Sequence, residues 1–371
     1  MSREPVALDA ASHEPLHPAA RETLLAALGP ADADPRRLHR AGRTARLLLE
    51  NARAAVAECL DVRPAEVSFT TSGTDAVHRG LLGLLTSRGE RGTGTVIASA
   101  VEHSAVLHAA TWWRGGLALA PVDRLGRVDP HEVAALVRDA AGPRVLALQA
   151  ANHEVGTRQP VDVVDLPEDV PLFCDAAVAV GRGPLPRRWD VLAGSAHKWG
   201  GPAGVGILVV RAGVRWESPF PEDERTDPRA SGFENVAAAL AAAAALQAVT
   251  AEAEELGRRQ RAWIDRIRAA AAAIPEVEVV GDPDHRLPHL VTFSCLYAQG
   301  EELVHALDRR GFGVASGSAC TASTLEPSHV LAAMGALTHG NVRVSLTRTT
   351  TEEDVAAFLA ALPEAVAEAR A

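Results

Sequence analysis

The chain has 371 residues, 47% hydrophobic and 23% charged, a balance that excludes a disordered polypeptide and a short recognition module. Its 37 basic and 47 acidic side chains leave a net charge of -10, the wrong sign for a protein that lives on nucleic-acid phosphates or anionic lipid. No apolar run reads as a membrane span and the start, MSREPVALDAASHEP, lacks a signal-peptide pattern, so a cytoplasmic protein with no nucleic-acid or membrane partner is expected.

From the N-terminus, the run EVSF precedes a helix from Thr74, TVIASA precedes one from about His103, and LALAPV precedes DPHEVAALVRDA. RVLALQA, PLFCDAA, VLAGSA and VGILVVR continue the alternation. Strands alternating with helices predict an α/β domain with a mainly parallel sheet, whose ligands bind at the carboxyl ends of the strands. ESPFPEDERTDPRASG reads as a surface loop, and an Ala-rich connecting helix is expected from about Val236 to Ala273. Beyond Pro275 come strands VEVV and LVTFSC, helix EELVHALDRR, the small-residue segment VASGSAC, a short helix at EPSHVLAAMG, strand NVRVSL and a last helix capped by Thr350 and Glu353. A large domain over 15–245 and a smaller α+β domain built from 1–14 and 246–371 are expected.

The four cysteines show no metal-ligand spacing, so no metal site is expected. Cys59, Cys174 and Cys295 sit in apolar surroundings and read as buried hydrophobes, whereas Cys320, in ASGSACTAS, reads as an exposed thiol and candidate nucleophile. Of the 37 basic residues, Lys198 alone is lysine. A guanidinium is a poor Schiff-base former, so a site that needs a primary amine would leave this asymmetry.

Lys198 stands in LAGSAHKWGGPAGVG at a strand end, where Ser195, His197 and Lys198 can meet one anion. Ser72, Gly73 and Thr74 mark a strand-to-helix turn and either cap the helix or hold a phosphate there. Asp175 ends an apolar strand at the mouth of the sheet, where a carboxylate either caps a loop or keeps a pyridinium nitrogen protonated. His103 follows TVIASA, placed to stack on a flat ring and move protons unless it is structural. Arg343, among the apolar residues of NVRVSL, suits a bidentate carboxylate clamp.

The set SGT, EHSA, NHEVGTRQPV, DAA, SAHKWGGPAGVG, SGSACTAS-EPSHVL and VRVSL, in this order, resembles the NifS-like cysteine desulfurases of the class-V aminotransferase superfamily. The resemblance implies a fold-type I transferase with a seven-stranded sheet, pyridoxal 5'-phosphate as cofactor, and a homodimer that takes sulfur from L-cysteine to give L-alanine and a persulfide. It gives Lys198 the role of Schiff-base amine and Cα base, Asp175 that of pyridinium partner, and His103 that of stacking acid/base. Gly73, Thr74, Ser195 and His197 match phosphate-binding positions, Asn152 and Arg343 substrate positions, and Cys320 the loop nucleophile that feeds an acceptor, a scaffold or thiolation protein.

Three positions depart from the family pattern: His153 stands where the family has an Asn near the cofactor's ring oxygen, Val178 replaces a Gln, and Phe233 a Thr. A C-S lyase or related class-V reaction that uses the same cofactor on a different thiol or thioether, and a non-catalytic sulfur-transfer subunit, are the competing expectations.

Overall fold

In the computed structural model, which describes residues 5–221, 227–316 and 327–371, the chain starts with strand β1 (Val6–Ala7) and helices α1 (Pro18–Ala27) and α2 (Arg40–Leu60). Neither helix was anticipated, although Ala45, Leu49, Ala52 and Val56 of α2 recur every three or four residues and form its buried face. Then β2 (Val67–Thr70), α3 (Gly73–Thr86), β3 (Thr95–Ser99), α4 (Ser104–Trp113), β4 (Gly116–Ala120) and α5 (Pro130–Asp139) alternate. Strands β5 (Arg144–Ala147), β6 (Leu172–Asp175), β7 (Val191–Ser195) and β8 (Gly206–Val210) complete a seven-stranded sheet. Its order is β2-β8-β7-β6-β5-β3-β4, and β8 is antiparallel to both neighbours while the remaining pairs are parallel. β6, β7 and β8 are buried along their whole length, which is why they read as unbroken apolar runs. The carboxyl ends of β2, β3, β5, β6 and β7 therefore share one edge of the sheet.

The Ala-rich segment is a single helix, α6 (Val236–Ala272). Val236 to Val249 pack into the large core, whereas Trp263 to Ala271 belong to a second core. Contrary to the sequence expectation, α6 is long and apolar enough to cross a membrane, yet half of its most apolar window is buried and the helix packs on α1 and α2. The second core lies under the antiparallel sheet β12-β10-β9, formed by β9 (Val277–Val280), β10 (Leu290–Cys295) and β12 (Asn341–Ser345). Helices α7 (Gly300–Asp308), α8 (His329–Ala333) and α9 (Glu352–Ala369) and strand β11 (Phe312–Gly313) accompany it. β11 pairs in parallel with β1, and Leu8 enters this second core, so the N-terminal arm is tied to the C-terminal part.

Three expectations need correction. The cap of α9 is Thr351 with Asp354, one residue beyond Thr350 and Glu353, because the Thr350 hydroxyl is taken by the Thr347 amide at 3.0 Å. Cys59 is only half-buried, while Cys174 and Cys295 are fully enclosed. Within the expected surface loop, Asp227 is buried and held by Arg53 and Ser68, both at 3.1 Å.

The loop after β7 is anchored by Trp199, 1% exposed, whose indole N-H donates to the Ala242 carbonyl of α6 at 3.1 Å. Trp199→Ala leaves a large void and is expected to cost about 3–5 kcal/mol, read as a lowered urea midpoint.

Candidate active site

Five strand ends converge on one cavity of about 210 Å³. At the end of β2, Ser72 caps α3, accepting from the Asp75 amide at 3.0 Å. The plain-cap reading is right for Ser72, while Gly73 and Thr74 line the cavity, where the first turn of a helix offers N-H groups without carbonyl partners. The turn passes close to the sheet: a Cβ on Gly73 would lie 2.6 Å from the Ser195 Cβ, and one on Gly206 only 2.2 Å from the Ser72 carbonyl oxygen. Gly206→Ala must push this turn away and is expected to destabilise the protein by about 1–3 kcal/mol, measurable by chemical denaturation.

After β7, the Ser195 hydroxyl meets His197 Nδ1 at 3.1 Å, and Lys198 closes a single 3-10 turn, half-buried and lining the cavity. Burial, reinforced by Lys198 and His13, lowers the His197 pKa to about 4, so its ring is neutral at pH 7. The unfolded chain binds a proton there from about pH 6.5 downward and the folded protein does not. His197 therefore supports stability above pH 6.5, and denaturation midpoints should fall as pH drops toward 4, less steeply in His197→Asn.

Asp175 ends β6, 7% exposed, with Oδ1 accepting from the Ala177 amide at 2.9 Å. His103 caps α4, its Nδ1 accepting from the Ala105 amide at 3.1 Å, which leaves the ring proton on Nε2. Burial lowers the His103 pKa, and Lys198 adds to the effect while Asp175 opposes it. The His153 ring meets that of His103 edge-on, with centroids 4.9 Å apart and planes at 67°. Val178 and Ala177 supply an apolar wall.

The structure thus brings Gly73, Thr74, His103, His153, Asp175, Ser195, His197 and Lys198 together. Asn152 is not brought there: its amide is spent on backbone, donating to the Val101 carbonyl at 2.9 Å and accepting from the amides of Glu154 and Val155. Arg343 stands one layer back, donating to the His153 carbonyl at 3.0 Å, Asp9 at 2.8 Å and the Ser12 hydroxyl at 2.5 Å. Cys320 lies outside the described residues. Gln149, Asp9 and Ser12 were not foreseen; Gln149 lines the cavity just past the end of β5, a position that strand-end reasoning could have flagged.

The fit of the cavity to pyridoxal phosphate follows from the chemistry of its lining. Gly73, Thr74 and Ser195 offer N-H and hydroxyl donors for a dianion, Asp175 a buried carboxylate and Lys198 an amine, and the buried Nδ1 of His153 has no partner among the described residues. Residues 31–358 match the aminotransferase class-V family. The chain belongs to that family. Over 98% of its length, this class-V chain is 31% identical to cysteine desulfurase IscS of Methanosarcina thermophila, covering 93% of that protein. Over 91% it is 33% identical to cysteine desulfurase NifS of Azotobacter vinelandii, covering 86% of it. A solved NifS-like protein superposes with a TM-score of 0.89 at 26% identity, covering 98% of this chain and 99% of that one.

Proposed function

We propose that the protein removes sulfur from L-cysteine, releasing L-alanine and holding the sulfur as a persulfide on Cys320 for a separate acceptor protein. The observation that carries this reading is the placement of the single lysine, Lys198, in one cavity with His103, Asp175 and the first turn of α3. Pyridoxal phosphate, when bound, supplies an aldehyde for an amine and an electron sink for the substrate's Cα. Lys198 Nζ is the amine it requires and the base that takes the Cα proton. The Asp175 carboxylate holds a proton on the ring nitrogen, and the Gly73 and Thr74 amides with Ser195 and His197 hold the phosphate. His103, in the cavity wall with its ring proton on Nε2, would stack on the ring and exchange protons there. The Cys320 thiolate forms a bond to the substrate sulfur, the C-S bonding pair stays on the β-carbon, and that carbon takes up a proton to complete alanine.

The decisive assay mixes purified protein, cofactor and L-cysteine and quantifies alanine and protein-bound persulfide. Equal amounts of both in the first turnover are expected; pyruvate and free sulfide in their place would establish a C-S lyase.

We read the protein as a homodimer. Leu25, Leu28, Leu38 and Leu47, on and between α1 and α2, are 56%, 58%, 80% and 57% exposed, apolar surface that a second copy would cover. Light scattering at the mass of a monomer would overturn this.

A further inference from the structure

The backbone on both sides of Lys198 is held by groups outside its own turn. Within the turn, the Ala196 carbonyl accepts from the amides of Trp199 at 3.1 Å and Gly201 at 2.8 Å. The carbonyls beyond it are met from the N-terminal arm: the Glu14 amide donates to the His197 carbonyl at 2.9 Å and the His17 amide to that of Gly200 at 2.8 Å. The Lys198 carbonyl accepts from Arg182 Nη2 at 3.4 Å. Arg182 lies in the connection between β6 and β7, and the same Nη2 donates to Glu14 Oε2 in a buried ion pair, the two residues being 8% and 2% exposed. The other Glu14 oxygen, Oε1, accepts from the Arg348 amide at 2.8 Å, just past β12.

A buried ion pair is often no more stabilising than apolar residues of similar volume, because removing both charges from water offsets their attraction. What it adds here is direction. Nη2 carries two N-H groups, one for the Glu14 carboxylate and one for the Lys198 carbonyl. Glu14 therefore acts on both peptide units that flank the Lys198 Cα: its own amide holds the preceding carbonyl, and its carboxylate fixes the donor to the following one. Those two planes set the direction of the Cα-Cβ bond, and so where the amine at the end of a four-carbon stem arrives. A reacting group misplaced by about 1 Å can lose about 10²-fold in rate.

We propose that Glu14 and Arg182 are positioning residues that aim the Lys198 amine within the cavity. The work assigned to that amine rests on the function proposed above. A latch that only joined the arm to the segment after β12 would make the same contacts, so the test separates aim from stability.

On the full chain, labelling of Lys198 is titrated against pyridoxal phosphate by borohydride trapping and peptide mapping, alongside alanine formation and the urea midpoint. Glu14→Leu combined with Arg182→Met leaves neither charge buried alone and should keep a midpoint close to that of the wild type. It should need about tenfold more cofactor for half-labelling and form alanine about 10²-fold more slowly. Arg182→Lys, whose ammonium can meet both oxygens as Nη2 does, should restore both readouts. Should the double variant not fold, Glu14→Gln, which keeps the amide contact to His197 but no charge for Arg182, is read in the same way. Wild-type labelling in the folded double variant or in Glu14→Gln, or an Arg182→Lys protein as impaired as the double variant, overturns the proposal. A wild type that is labelled on Lys198 but forms no alanine overturns the function alone, and one that takes no label overturns both.

Discussion

Lys198→Ala should abolish turnover of L-cysteine, with loss of proton transfer alone removing about 10²–10⁴-fold. Borohydride reduction followed by peptide mapping should place cofactor on the peptide containing Lys198 in the wild type and on none in the variant. Lys198→Arg should be as inactive as the alanine variant, because a guanidinium keeps the charge but neither forms the imine nor releases a proton near neutral pH. That pair of variants separates chemistry from electrostatics: if arginine restored even a tenth of the activity, the amine would not be the working group. The anchoring of the next residue, Trp199, to α6 makes the position of Lys198 a property of the core, so the alanine variant should fold normally.

The alternation of strands and helices was legible because most strands of the large sheet are short, apolar and bounded by turns, and the helices between them carry clear starts. Helices α1 and α2 were not legible: α1 begins on His17 and α2 on His39, caps made by an imidazole in place of the usual Ser, Thr, Asp or Asn, and neither has an apolar strand run directly before it such as the one that marks the His103 cap of α4. The α9 cap was misplaced by one residue because RTTTEED offers Thr-x-x-acid in three overlapping registers, and the contacts of Thr349 and Thr350 with Thr347 decide among them.

At the candidate site, residues directly after a strand were legible and those set by tertiary packing were not. Asp175 and Ser195 end their strands and Lys198 closes the short turn after β7, so the sheet puts them on the cavity. Asn152 and His153 share a tight turn in which neighbouring side chains point to different sides, and the amide of Asn152 closes the turn while the ring of His153 reaches the cavity. For Arg343, strand burial was legible, but its capture by Asp9 and Ser12 depends on the arm that β1 lays beside β11. A pairing between residues more than 300 positions apart leaves no local trace.

Cys320→Ala should keep the bound cofactor and the Lys198 label while losing persulfide entirely. Alanine formation should fall by about 10³-fold or more, since removal of a catalytic nucleophile elsewhere costs up to about 10⁶ in kcat. None of the other three cysteines can substitute. Burial raises the thiol of Cys174 well above its usual range and that of Cys295 to about 11, and it also raises that of half-buried Cys59. A thiolate is the reacting species, so near neutral pH each of these is protonated and inert. Persulfide detected in Cys320→Ala would mean that one of them had become exposed, and full retention of C-S cleavage without persulfide would assign the lyase reaction. Because the cofactor band and the Lys198 label are read in the same sample, loss of the nucleophile is separable from loss of the site.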